Sequence, residues 1–149
     1  MSKFKALLLG NLNGEADSLM ADYAIDVDKV NEERMAVRAL LLQISELEEA
    51  MKLRRAELYL YLAEQKAGDK VAWGNEAARD ATLLQALDAD DDYETQAGRL
   101  EDLKHELNDV QGRVAACEER LSARRWWVRL YLAQALEKAG GASEGMGLE

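Results

Sequence analysis

An apolar residue returns every seven positions through two long stretches of this chain, and no proline interrupts either stretch. The first row is Val30, Val37, Ile44, Met51 and Leu58, with Leu40, Leu47 and Tyr61 three residues after members of it. The second is Tyr93, Leu100, Leu107, Val114, Leu121, Val128 and Ala135, with Leu103, Val110, Cys117 and Tyr131 filling the intermediate positions. Steps of three and four residues keep side chains on one face of an α-helix. Sustained over four or more heptads, they form the seam of a coiled coil. Proline would remove an amide donor and clash with the preceding turn, so its absence favours uninterrupted helices.

Boundaries follow from caps and breakers. Asp26 or Asp28 is expected to open the first long helix, with Glu32 and Glu33 near the positive end of its dipole. Ala67-Gly68 is expected to close it. Residues 1–24 then form an N-terminal segment, partly helical, with a break at Gly10, Asn11, Asn13 and Gly14. Asn75 can open a short helix reaching about Leu87, with Leu83, Leu84 and Leu87 as its apolar stripe. Asp91 with Glu94 three residues later resembles a capping box for the second long helix, and Gly140-Gly141 is expected to end it. The expected division is therefore 1–24, a helical domain over 25–139, and a flexible tail over 140–149.

The short connector cannot carry the chain back along a helix of about 60 Å, so the two long helices are expected to run antiparallel. Charge agrees. Asp90 to Glu94, Glu101 and Asp102 would meet Lys52, Arg54, Arg55 and Lys66. Asp26, Asp28, Glu32 and Glu33 would meet Arg124, Arg125, Arg129 and Lys138. The expected fold is all-α: a long antiparallel helical hairpin, coiled-coil-like, with a short connecting helix. The helices also echo each other at an offset of 70 residues: Tyr23 with Tyr93, Glu48-Glu49 with Glu118-Glu119, Arg54-Arg55 with Arg124-Arg125, and Leu60 to Ala63 with Leu130 to Ala133. Any two heptad helices share some residues, and a duplicated helix is the alternative.

The rows opposite the seam are poor in charge. The first helix carries Met35, Leu42, Glu49, Ala56 and Ala63 there. The second carries Gly98, His105, Gly112, Glu119, Trp126 and Ala133. A mid-helix glycine costs about 1 kcal/mol against alanine, and two on one row suggest that another backbone approaches closely. A homodimer, assembling into a helical bundle, is the expected state. The segments 58–62 and 126–132 are apolar on nearly every side. The short helix can cover the first, and Phe4 to Leu9 can cover the second.

The net charge is −10. It disfavours non-specific binding to nucleic acid and to an anionic membrane. Ala6 to Leu9, after Lys3 and Lys5, is too short for a signal-peptide core, and no stretch approaches the roughly 18 apolar residues of a membrane span. One cysteine, Cys117, excludes an internal disulfide and suits a reducing compartment. The expected location is cytoplasmic.

Few residues suggest chemistry. His105 has Glu101, Asp102 and Asp109 within a turn, an arrangement used in carboxylate di-metal bundles, but the chain has no second histidine. Glu46 with Glu49, and Glu106 with Asp109, resemble in outline the magnesium pairs of all-helical nucleotide pyrophosphohydrolases, and solvated helix faces produce the same spacing. Cys117 falls on the seam and reads as a small core residue. No cofactor is expected. Arg124, Arg125, Trp126, Trp127, Arg129 and Tyr131 mix cations with aromatic rings, as single-strand binding surfaces do. The competing reading packs the tryptophans in the core and sets the arginines against the helix C-terminus.

Asn75 to Ala81, then Asp92-Tyr93 and the heptad helix ending in Arg124 to Leu132, resemble small helical proteins encoded by phages and prophages, often beside replication or recombination genes. The resemblance covers roughly residues 75–132 and implies an accessory role without catalytic residues. The expected function is thus a non-enzymatic protein-interaction module with a protein partner. Three alternatives stay open: an acidic inhibitor of a host DNA-binding or defence protein, a single-stranded nucleic-acid binder, and a metal-dependent nucleotide hydrolase.

Overall fold

The computed structural model describes residues 3–65 and 76–144, with side chains placed over 14–64 and 76–141. Among the described residues there are three α-helices and no strand: α1 over Lys3–Gln65, α2 over Glu76–Asp88 and α3 over Asp91–Glu144. None of these helices is long and apolar enough to cross a membrane.

Two of the expected boundaries are corrected. Helix α1 does not begin at Asp26 or Asp28, and no break occurs at Gly10 to Gly14; the helix starts at Lys3. Two glycines each cost about 1 kcal/mol in a helix, which a continuing seam can offset. Ala16, Leu19 and Tyr23 are partly buried and carry the heptad back from Val30. Helix α3 likewise runs through Gly140 and Gly141 to Glu144, and no described glycine takes a positive φ. Glycine closes a helix only where it adopts that left-handed conformation. The expected stop at Ala67-Gly68 lies outside the described residues, as do the side chains of Phe4 to Leu9.

The cap of α3 also shifts by one residue. Asp90, not Asp91, is the N-cap: its Oδ2 accepts the Tyr93 amide at 3.0 Å, and its carbonyl accepts the Glu94 amide.

The chain divides into two units, Met1–Met35 with Gln111–Glu149, and Ala36–Val110. In the first, Val30 of α1 packs with Cys117 and Leu121 of α3, flanked by Tyr23 and Val27. Ion pairs give the direction. Asp26 meets Arg124, and Glu33 meets Arg113, so α3 numbers fall as α1 numbers rise. In the second unit Leu40 and Ile44 pack with Leu103 and Val110, flanked by Val37, Leu47, Leu100 and Leu107. Here Glu48 meets Lys104 and Arg54 meets Asp90, again antiparallel. Each buried aliphatic side chain contributes roughly 1.5–3 kcal/mol, and two-helix packing encloses none of them completely.

Helix α2 belongs to the second unit. Leu83 and Leu87 are buried, and Leu83 shares a recess with Ala56, Tyr59 and Leu60 of α1. The expected cover over 58–62 is therefore partial, since Leu60 stays 61% exposed. Tyr61, expected on the seam, is exposed as well. It stands beyond the stretch where α3 lies against α1 in this unit, since Asp90, the cap of α3, is already opposite Arg54.

The 70-residue echo reappears in the contacts. Arg34 bonds Glu118 in the first unit, and Lys104 bonds Glu48 in the second. Position 104 is 34 plus 70, and 118 is 48 plus 70. The same two positions make the same kind of pair, with the helices exchanging roles. Antiparallel pairing of two in-phase heptad helices produces this symmetry of position, and a duplicated helix would also produce it.

Candidate functional site

The most distinctive side chains lie on α3 in the first unit, from Gly112 to Leu136. On its inner side, Leu121 and Cys117 join the core, and Arg124 takes the next seam position. An arginine there would be costly without a partner. Arg124 Nε donates to Asp26 Oδ2 at 3.0 Å, and its Nη1 lies 3.7 Å from Asp22. Asp26 is the buried charged residue of the described structure, 8% exposed. Arg124 is therefore engaged by two carboxylates of α1 within the first unit.

The residues around it face outward. Arg125 Nε donates to the Tyr23 hydroxyl at 3.2 Å and makes no ion pair among the described residues. Trp126 is 72% exposed and Trp127 64%. Leu130, Leu132 and Leu136 are exposed beside them, and so is Arg129. Tyr131 returns to the seam, partly buried, and burial raises its hydroxyl pKa above the ordinary value. The six sequence-derived positions thus separate into two groups. Arg124 and Tyr131 face α1; Arg125, Trp126, Trp127 and Arg129 face solvent.

This overturns the competing expectation that the tryptophans pack into the core. The reason is geometric. Both rings fall between heptad seam positions, and a second helix can cover only one side of α3. A shallow recess of about 260 Å³ between α1 and α3 is lined by Met20, Tyr23, Arg125, Val128 and Arg129, and neither tryptophan lines it.

The other chemistry candidates are dispersed. His105 and Glu101 are 3.8 Å apart and both well exposed. Glu49 is engaged by Lys52 at 2.7 Å, and Glu46, Glu106 and Asp109 are in solvent. Among the described residues no three metal-ligating side chains converge. Cys117 is buried in the core, as its seam position implied.

Sequence reasoning set Asp90 opposite Arg54 by charge but did not place the pair on the seam. Arg54 sits at a seam position of the second unit and holds Asp90 with two bonds, at 2.6 and 2.9 Å. That hydrogen bond raises the Arg54 pKa above its ordinary value. It also lowers the Asp90 carboxyl, helped by the Tyr93 amide and opposed by burial. The available signal was the gap in the apolar seam between Leu47 and Tyr61, where a charged residue needs a partner.

No protein-family model, curated protein or solved structure matches this chain.

Proposed function

We propose that the chain is a non-enzymatic protein-interaction module that works as a homodimer. Its setting, by the resemblance of residues 75–132, is phage or mobile-element DNA replication or recombination. The supporting observation is the large apolar surface that α3 leaves in solvent in the first unit: Trp126, Trp127, Leu130, Leu132 and Leu136. A single exposed leucine is ordinary. Five bulky apolar residues exposed within eleven positions of one helix, interspersed with Arg125 and Arg129, support an interaction surface. Two measurements test the reading. The chain is expected to sediment as a dimer at micromolar concentration, and a tagged form is expected to capture a defined protein from a cell lysate. Trp126→Glu with Trp127→Glu is expected to remove one or both. A chain that stays monomeric and captures nothing would sink the proposal.

A second reading draws on the same residues. Arg125 and Arg129 without ion pairs, beside two exposed indole rings, offer cations and stacking surfaces to a single strand. The net charge of −10 opposes it. Quenching of tryptophan fluorescence by an oligonucleotide, lost in Arg125→Glu with Arg129→Glu, is the expected result if it holds. Unchanged fluorescence at low salt rules it out.

A further inference from the structure

We propose that α3 pairs with α3 of a second copy of this chain, antiparallel, through its outer face. The two-fold axis crosses the pair beside Arg124 and Arg125. This rests on the homodimer reading and gives it a face and a register.

Behind the seam that meets α1, α3 carries a second row with steps of four and three residues: Gly112, Ala116, Glu119, Ala123, Trp126, Leu130 and Ala133. All are exposed. That spacing is again the seam of a paired helix. The row is graded by size. Before Arg124 the row holds Gly112, Ala116, Glu119 and Ala123, small except for the glutamate and flanked by Ala115 and Ser122; after it come Trp126, Leu130 and Ala133, flanked by Trp127 and Leu136. A parallel partner would stack bulky side chains on bulky ones and leave gaps between small ones. An antiparallel copy lays each bulky half over the other's small half, so one match is made twice.

The register follows from these sizes. Trp126 covers Ala123 of the second copy, Ala133 meets its Ala116, Leu136 lies over its Ala115, and Leu130 lies against the methylene stem of its Glu119, whose carboxylate extends to the rim. The Arg120 guanidinium then comes to its Trp127 ring, a favourable cation–π contact. Charge points to the same axis. Glu119 lies five residues before Arg124 and Arg129 five residues after it, so the two-fold brings each glutamate to the other copy's arginine. Neither has a hydrogen-bond or ion-pair partner among the described residues. A nucleic-acid strand or an unrelated helix would use the bulky half alone. Only a second copy needs the small half to match it.

Cross-linking in the full chain tests the register. In a Cys117→Ser background, Ala116→Cys with Ala133→Cys places two thiols 17 residues apart on one helix, about 25 Å. A disulfide needs Cα atoms within about 7 Å, so no bridge forms within a chain. Oxidation is expected to give a covalent dimer from the double variant and none from either single variant. A protein that sediments as a dimer but does not cross-link overturns the face or register and leaves the homodimer reading intact. A strict monomer overturns both. A second test keeps Cys117. Arg129→Glu is expected to weaken dimerisation about tenfold, from two lost pairs and two new repulsions. Adding Glu119→Arg is expected to restore it. Failure to restore overturns the pairing.

Discussion

The buried pair Asp26–Arg124 can be dissected by a double-mutant cycle, because its two ends differ in surroundings. The Asp26 side chain is 10% exposed and the Arg124 side chain 32%. Removing the arginine strands a nearly buried carboxylate that accepts from Arg124 Nε at 3.0 Å. Removing the aspartate leaves an arginine that is a third exposed and still has Asp22 at 3.7 Å. Stranding a buried charge costs about 3–5 kcal/mol in a fully enclosed site. Partial exposure reduces that, so Arg124→Met is expected to cost about 2–3 kcal/mol. Asp26→Leu is expected to cost less than about 1 kcal/mol, since a leucine at that seam position regains apolar burial. The double variant is expected within about 1 kcal/mol of the parent, because well-packed apolar residues replace ion pairs of this kind at little cost. The coupling is then about 2 kcal/mol, well above the ~0.5 kcal/mol scatter of independent sites. Urea unfolding followed by circular dichroism measures all four proteins, at one fixed concentration because association contributes to apparent stability. If the double variant costs the sum of the single ones, the pair is not coupled and the seam role assigned to it is wrong.

Three further outcomes follow from other parts of the fold. Leu103→Ala, at a position 3% exposed, is expected to cost about 2–4 kcal/mol in urea unfolding, whereas Leu53→Ala, 62% exposed, is expected to stay within about 0.5 kcal/mol. Gly98→Ala is expected to raise the melting temperature, with a gain of up to about 1 kcal/mol, because its Cβ would enter open space mid-helix. The Asp90 carboxyl is held below its ordinary value by Arg54. Its contribution is therefore complete above the ordinary carboxylate range near pH 4 and is lost as pH falls through the lowered value. Asp90→Asn is expected to flatten the acid limb of a stability–pH curve in that window, and an unchanged limb would show that the pair does not couple to folding.

The apolar seam was legible because period seven leaves little choice of face. Val30, Leu40, Ile44, Leu103, Val110, Cys117 and Leu121 were all placed by spacing alone, and all are buried. Polar seam residues were not legible as such. Charge matching set Asp26 opposite Arg124, but Asp26 also read as a helix cap, and only a continuous α1 reveals it as an interior seam residue. Arg124 read as part of an outward basic cluster for the same reason: its neighbours do face outward, and sequence proximity says nothing about which side of a helix holds a partner. The helix ends were misjudged because glycine marks a stop only through its dihedral angles, which composition does not carry. The exposed tryptophans follow from the heptad once the seam is fixed, but chemistry argued for burial and period for exposure, and period won.

The charged residues on the seam also restrict alignment. Sliding one helix past the other by a heptad would keep aliphatic side chains opposite aliphatic side chains at most positions, so packing alone tolerates slippage. Asp26 would then lie opposite Cys117 or Tyr131, and Arg54 would leave the cap of α3. Such a slip leaves the nearly buried Asp26 carboxylate without its arginine and breaks the two bonds between Arg54 and Asp90. Hydrophobic repetition makes the two helices stick, and these two arginines decide where they stop.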